Sequence, residues 1–360
     1  MDKAQNKRFV DRRFGEIIKT TRNPYLDYLR GISALLVLMF HYTKRYDMLF
    51  GHSVDYPVMV NRGSFAVLMF FLLSGYLTFK GLPKYKPGSF IKNRFFRLFP
   101  TYWLCLIITM IIVSLSLPEL AVSIKEFLLN VTMLPMYLGA KYVDGAYWTL
   151  SCELLFYVLI VCVCLLNGGK YGAYVIIGWF VLQLGFLFIP DSGVFALAKK
   201  FNRLLYFHCF MAGGIVALLE GQVKMGQGEG RNYSNFTNII LGLALVFFVA
   251  QQFIDHETDS GIFMAVSVVM LCISVLLYDK LGGVHCWVQI ILSPFAWVAS
   301  ISYPLYLLHQ NIGYAIIHKM ESMGITSEWG LMIPIAVIFM AAWIIHRFVE
   351  KPCTALGTKH

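Results

Sequence analysis

Charge is scarce in this 360-residue chain: Asp, Glu, Lys and Arg make up 14% of it, against about 25% in an average soluble domain. Acidic residues are the scarcer kind, twenty against thirty Lys and Arg, for a formal net charge of +10. Hydrophobic residues reach 58%. That balance excludes an ordinary soluble enzyme or binding domain. It predicts an all-α, polytopic transmembrane helical bundle surrounded by membrane lipids. In such a chain excess positive charge reports topology, because Lys and Arg collect in cytoplasmic loops. No nucleic-acid partner follows from it.

Other absences narrow the chemistry. The eight cysteines lie mostly within apolar runs and include no CxxC pair, which excludes a disulfide framework and a zinc ribbon. No HExxH is present, so no metal is expected. No GxSxG elbow, GxGxxG or GxxxxGK loop occurs, which removes the common hydrolase and phosphate-cradle signatures. No half-to-half repeat of the kind seen in many transporters is visible.

Ten spans are predicted, at 26–43, 63–80, 98–117, 147–166, 171–189, 204–220, 238–254, 261–278, 287–310 and 328–348. They form one transmembrane domain over 26–350. The basic stretch 1–25 has no apolar core and is expected to be a cytoplasmic tail, with 351–360 a second short one. The apolar stretch 126–140 is short and holds Asn130 and Pro135. It is expected to be re-entrant or interfacial, since a span needs about 17–25 residues. With both termini in the cytoplasm, Lys and Arg fall mainly on that side.

Against this background the polar residues inside spans stand out. Arg30 and His41 share the first span at a spacing of eleven. At 100° per residue the two lie roughly 20° apart around the helix and about 16 Å apart along it. Asp27 joins the same face. A charge facing lipid costs at least ~2.5–3.5 kcal/mol, so the stripe is expected to face the bundle interior; the plainer alternative is a snorkelling Arg30 and an interfacial His41. In "MFFLLSGYL", 69–77, Ser74 and Gly75 permit close helix packing. The loop 80–103 carries six cations and ends in Arg94 and Arg97. At i and i+3 their guanidiniums can converge on one anion; the alternative is anchoring to lipid headgroups. In "GAYWTLSCELLFY", 145–157, Tyr147 and Trp148 fit an interfacial aromatic belt. Glu153 then lies about 7–8 Å deeper, at a level where it could meet and orient His41. His208 and His309 also fall in spans; each alone reads as a packing residue.

Taken together, these elements resemble the acyltransferase-3 family of integral membrane O-acyltransferases. Arg30 to His41 is similar to its R-x(10)-H signature, Phe70 to Gly75 to F-x(3)-S-G, and Arg94 and Arg97 to R-x-x-R. "YWTLSCELLFY" and "ISYPLYLLHQ" resemble two further elements, W-[ST]-L-x-x-E-x-x-F-Y and S-Y-x-x-Y-x-x-H. The resemblance implies transfer of an acyl group from cytoplasmic acyl-CoA, acetyl-CoA being the expected donor, to a hydroxyl of a lipid-linked or surface glycan at a bacterial cytoplasmic membrane. It implies His41 and Arg30 as the catalytic pair, with Arg94 and Arg97 in donor binding or catalysis. The residues themselves add Glu153 as the orienting carboxylate, with Arg30, Ser74 and Tyr76 as candidate donors to the oxyanion. No permanently bound cofactor is expected. The rival reading is a transporter or flippase for a glycan or anion, since intramembrane charges also mark transport pathways.

Overall fold

The computed structural model describes residues 23–358, apart from 55, 57–62, 167–170, 190–191, 195, 197–198, 200–204, 226–233, 256–257, 282–285 and 328. The proposed tail 1–25 therefore lies almost wholly outside the described residues. No strand occurs among the described residues; the all-α expectation holds.

The helices follow in chain order. Helix α1 is Pro24–Phe40, α2 Val67–Gly81, α3 Pro87–Ser116, α4 Ile124–Asn130 and α5 Trp148–Leu165. Helices α6 Gly172–Phe188, α7 Phe207–Met225, α8 Asn235–Asp255 and α9 Thr258–Leu281 come next. The last group is α10 Cys286–Ser300, α11 Ser302–Leu308, α12 Asn311–Ser322, α13 Met332–Ile345 and α14 Lys351–Thr358. The start of α1 is fixed locally: the Asn23 side chain accepts from the Tyr25 amide, and Pro24 stands at the first helical position.

Helices α3, α5, α8, α9 and the run Met332–Thr358 are each long and apolar enough to cross a membrane. The α10–α11 pair makes a sixth if its 58° bend is counted as one broken span. Helices α1, α2, α6 and α7 occupy four more of the predicted spans, but at 17, 15, 17 and 19 residues they are short or carry charge. Large apolar side chains such as Ile107, Leu115 and Phe188 are exposed on the outside of the bundle, a surface suited to lipid. The protein is a multi-pass membrane protein.

The segment 126–140 contains no helix that could cross. It folds as α4, seven residues closed by a Ser123–Glu126 capping box, and a short 3-10 turn Pro135–Leu138. Asn130 organises it. Its amide donates to the carbonyls of Glu126 and Lys141, and its side-chain oxygen accepts from Val143. Tyr102 and Trp103 of α3 tie the segment down through the carbonyls of Asn130 and Val131.

Helices α2 and α7 pack backbone to backbone. A Cβ at Gly75 would collide with the carbonyl oxygen of Phe210, and one at Gly213 with that of Leu72. Small residues on both helices bring backbone against backbone, as the Ser74–Gly75 pair led one to expect.

Candidate active site

Five helices surround a cavity of about 380 Å³. Helix α1 contributes Arg30, α2 Ser74 and Thr78, α3 Arg94 and Arg97, α5 Glu153 and Tyr157, and α11 Ser302, Tyr303 and Tyr306. Phe70, Phe71 and Leu77 supply apolar wall. The bend after Ser300 aims α11 across the bundle and delivers its three polar residues.

The arginines are held by different means. Arg30 pairs with Asp27 at 3.6 Å, one turn away on the same face. Arg94 lies between two rings, 5.0 Å from the centroid of Phe90 and 4.4 Å from that of Tyr157, and donates a long bond of 3.5 Å to Thr78 Oγ1. A cation on two π faces is kept in place without a carboxylate. Arg97 is within electrostatic reach of Glu153 and Glu350. Glu350 ends a π-helical turn, His346–Glu350, in which it binds His346 Nδ1 at 2.7 Å.

Glu153 does not orient His41. Its Oε1 accepts from Ser74 Oγ at 3.0 Å and from Tyr157 Oη at 2.5 Å. Tyr147 is fully buried and donates to the Leu307 carbonyl at 2.9 Å. It packs in the interior of the bundle and not on its lipid-facing surface. Helix α5 thus begins inside the bundle, and five residues later Glu153 is already among the arginines.

His41 lies beyond the cavity lining. It opens a π-helical turn, His41–Arg45, at the end of α1, a wide turn that recurs at functional sites. Its Nδ1 is 2.8 Å from the hydroxyl of Tyr314 in α12, and its ring meets that of His309 nearly perpendicularly at 4.8 Å between centroids. His309 packs in turn on Tyr306, 5.2 Å between centroids, and Tyr306 lines the cavity. The histidines are therefore joined to the cavity through one tyrosine ring.

Tyr76 is a second correction. It is fully buried, and its hydroxyl donates to Glu220 of α7 at 2.6 Å while accepting from Lys80 at 2.8 Å. Lys80 also reaches Glu220 at 2.8 Å. This is a lock between α2 and α7, on the face of α2 that turns away from Ser74. Ser74 and Tyr76 are two residues apart, and i and i+2 do not share a helix face.

Sequence reasoning missed Tyr157 and Tyr314 and left His309 as packing. Tyr157 carried a signal, since it is i+4 from Glu153. Tyr314 carried none, because 273 residues separate it from His41. The start of α5 is tied to the start of α12 by Asp144, whose oxygens accept from the amides of Ala146 at 2.8 Å and Asn311 at 2.9 Å. Burial pushes the Asp144 carboxyl up to about 7, while those two hydrogen bonds pull the other way. Among the described residues no group of three His, Cys, Asp or Glu could hold a metal.

Three arginines and a carboxylate are gathered around one interior cavity of a membrane-embedded helical bundle, the form of a membrane enzyme. The acyltransferase-3 family model, an acyltransferase domain, matches residues 23–347, and the chain belongs to that family. It is a membrane acyltransferase. No curated protein and no solved structure matches it.

Proposed function

We propose that the protein moves an acyl group, acetyl in the first instance, from cytoplasmic acyl-CoA to a hydroxyl of a surface or lipid-linked glycan. The observation that carries this reading is the convergence of Arg30, Arg94 and Arg97 on one cavity that runs to Tyr306. Coenzyme A is a polyanion on a long, weakly polar arm. Guanidinium forks suit its phosphates, and apolar wall suits the arm. The cavity falls within the usual range of about 300–1,000 Å³ for ligand sites. In this reading the basic end, with α14 and the start of α3, faces the cytoplasm, as the distribution of Lys and Arg favours. The thioester travels towards Tyr306, and proton transfer takes place at the histidines beyond it.

The test is thermal unfolding of the purified protein in detergent with and without acetyl-CoA. A ligand at 100 times its Kd adds about 2.7 kcal/mol of stability, so a clear rise in Tm is expected. Absence of any shift, together with unchanged glycan masses in a deletion strain, would defeat the proposal and favour transport.

A further inference from the structure

His309 has an unusual hydrogen-bond inventory. It is 1% exposed, and its Nδ1 stands 2.7 Å from the carbonyl oxygen of Tyr306. A carbonyl only accepts, so Nδ1 carries the hydrogen. In a neutral imidazole the other nitrogen is then a bare lone pair. That nitrogen, Nε2, is buried and has no partner among the described residues. A protonated ring would leave a buried, unbonded N–H on a cation, which costs more than an idle lone pair.

His41 has the complementary inventory. The Tyr314 hydroxyl has His41 Nδ1 as its hydrogen-bond partner at 2.8 Å. If the phenol donates, its hydrogen is satisfied and the hydrogen of His41 sits on Nε2. The reverse assignment leaves the phenol hydrogen without an acceptor among the described residues. With the two rings 4.8 Å apart, one imidazole offers an N–H and its neighbour a lone pair.

We propose that His309 is the proton acceptor of the reaction and that His41 is a hydrogen-bond donor to the charge developing on the thioester oxygen. This rests on the acyl-transfer reading and divides its proton chemistry between two histidines. The step balances without redox change. The acceptor O–H breaks and its proton passes to His309 Nε2. The freed oxygen forms a bond to the carbonyl carbon, and the carbon–sulfur bond breaks. His309 then returns the proton to sulfur, releasing the free thiol and the ester. His41 Nε2–H faces the carbonyl oxygen throughout and is unchanged at the end.

The replacement His309→Asn separates chemistry from packing. An asparagine amide sits where Nδ1 was and can still donate to the Tyr306 carbonyl, but the Nε2 lone pair is gone. Membrane vesicles from a deletion strain carrying each variant are given radiolabelled acetyl-CoA, and label in extracted lipid and glycan is counted. Acetyl-CoA binding to the purified variants is followed by thermal shift. His309→Asn is expected to bind acetyl-CoA like wild type and to lose about 10²-fold or more of transfer. Transfer by His309→Asn within a few-fold of wild type, with His309→Ala inactive, would reduce His309 to its contact with Tyr306 and overturn the proposal. If His309→Asn does not fold, Tyr314→Phe decides. It keeps the ring and removes the hydroxyl that sets the His41 hydrogen, so it should bind acetyl-CoA but lose transfer; undiminished transfer overturns the assignment. Vesicles in which wild type itself adds no label above the deletion strain would overturn acyl transfer as a whole, a result distinct from either of these.

Discussion

Ser74 and Tyr157, on two different helices, present their hydroxyls to the same oxygen of Glu153, at 3.0 Å and 2.5 Å. The carboxylate is fixed in the cavity wall by α2 and α5, while His41 is fixed elsewhere by α12. Residues with no shared partner combine nearly additively, within about 0.3–0.5 kcal/mol. In a double-mutant cycle of Glu153→Gln with His41→Gln, the losses in transfer should therefore multiply. A coupling well above 1 kcal/mol would mean that the two side chains meet during turnover.

Arg94→Ala and Arg97→Ala should each weaken acetyl-CoA binding by about 1.5–3 kcal/mol, the worth of a charge-assisted hydrogen bond. Lys84→Ala should have little effect, because Lys84 lies outside the cavity and is exposed. Isothermal titration gives the order directly, and a Lys84 effect equal to either arginine would contradict the donor-site assignment.

Tyr76→Phe should lower stability by about 1–3 kcal/mol, the cost of taking one donor from the buried Glu220 carboxylate. Acetyl-CoA affinity should not change. Weakened binding in a fully folded Tyr76→Phe protein would place Tyr76 back among the ligand-binding groups.

Asp144 makes stability depend on pH. Its folded carboxyl is raised to about 7 from an ordinary 3.8, so the folded state holds the proton more tightly than the unfolded one. The contribution is complete below pH 3.8 and is lost as pH rises to about 7, where it levels off. Thermal unfolding in detergent should show wild type losing ground against Asp144→Asn across that interval. The variant should also be weaker at low pH, since an amide cannot accept from both the Ala146 and Asn311 amides. Parallel curves for the two proteins would refute the assignment.

Helix α4 has seven residues and so is only about 10 Å long. Lys125→Cys and Lys141→Cys, in a background without native thiols, should both react with an impermeant maleimide from the same side of the membrane. Labelling of one alone would mean that the chain crosses between them.

Much of this was readable from the sequence, and the failures share one cause. Composition determined the class of fold. Helical spacing correctly put Asp27 beside Arg30, and it brought Arg94 and Arg97 into one cavity. Both are local geometry, within a turn of one helix. What spacing could not supply was the vertical offset between helices. Tyr147 looked interfacial because aromatic residues at a span's end often are, yet it is buried against Leu307, and Glu153 bonds Ser74 and Tyr157 while His41 bonds Tyr314. Tyr76 followed Ser74 in the chain but faces α7, and nothing near either residue announces Glu220 as its partner.

The α2–α7 contact also decides which wall of the cavity can yield. Backbone touches backbone at Gly75 and Gly213, so neither helix can approach or slide without a steric clash. Across the cavity, α11 hangs from a break at Ile301, whose backbone lies outside the helical region at φ −100° and ψ 6°. Such helix-end positions absorb rotation. A rotation of α11 about that break would widen the cavity, carry Tyr303 and Tyr306 with it and shift the ring on which His309 rests. One movement of these seven residues would reach both the cavity and the histidine packed beside it.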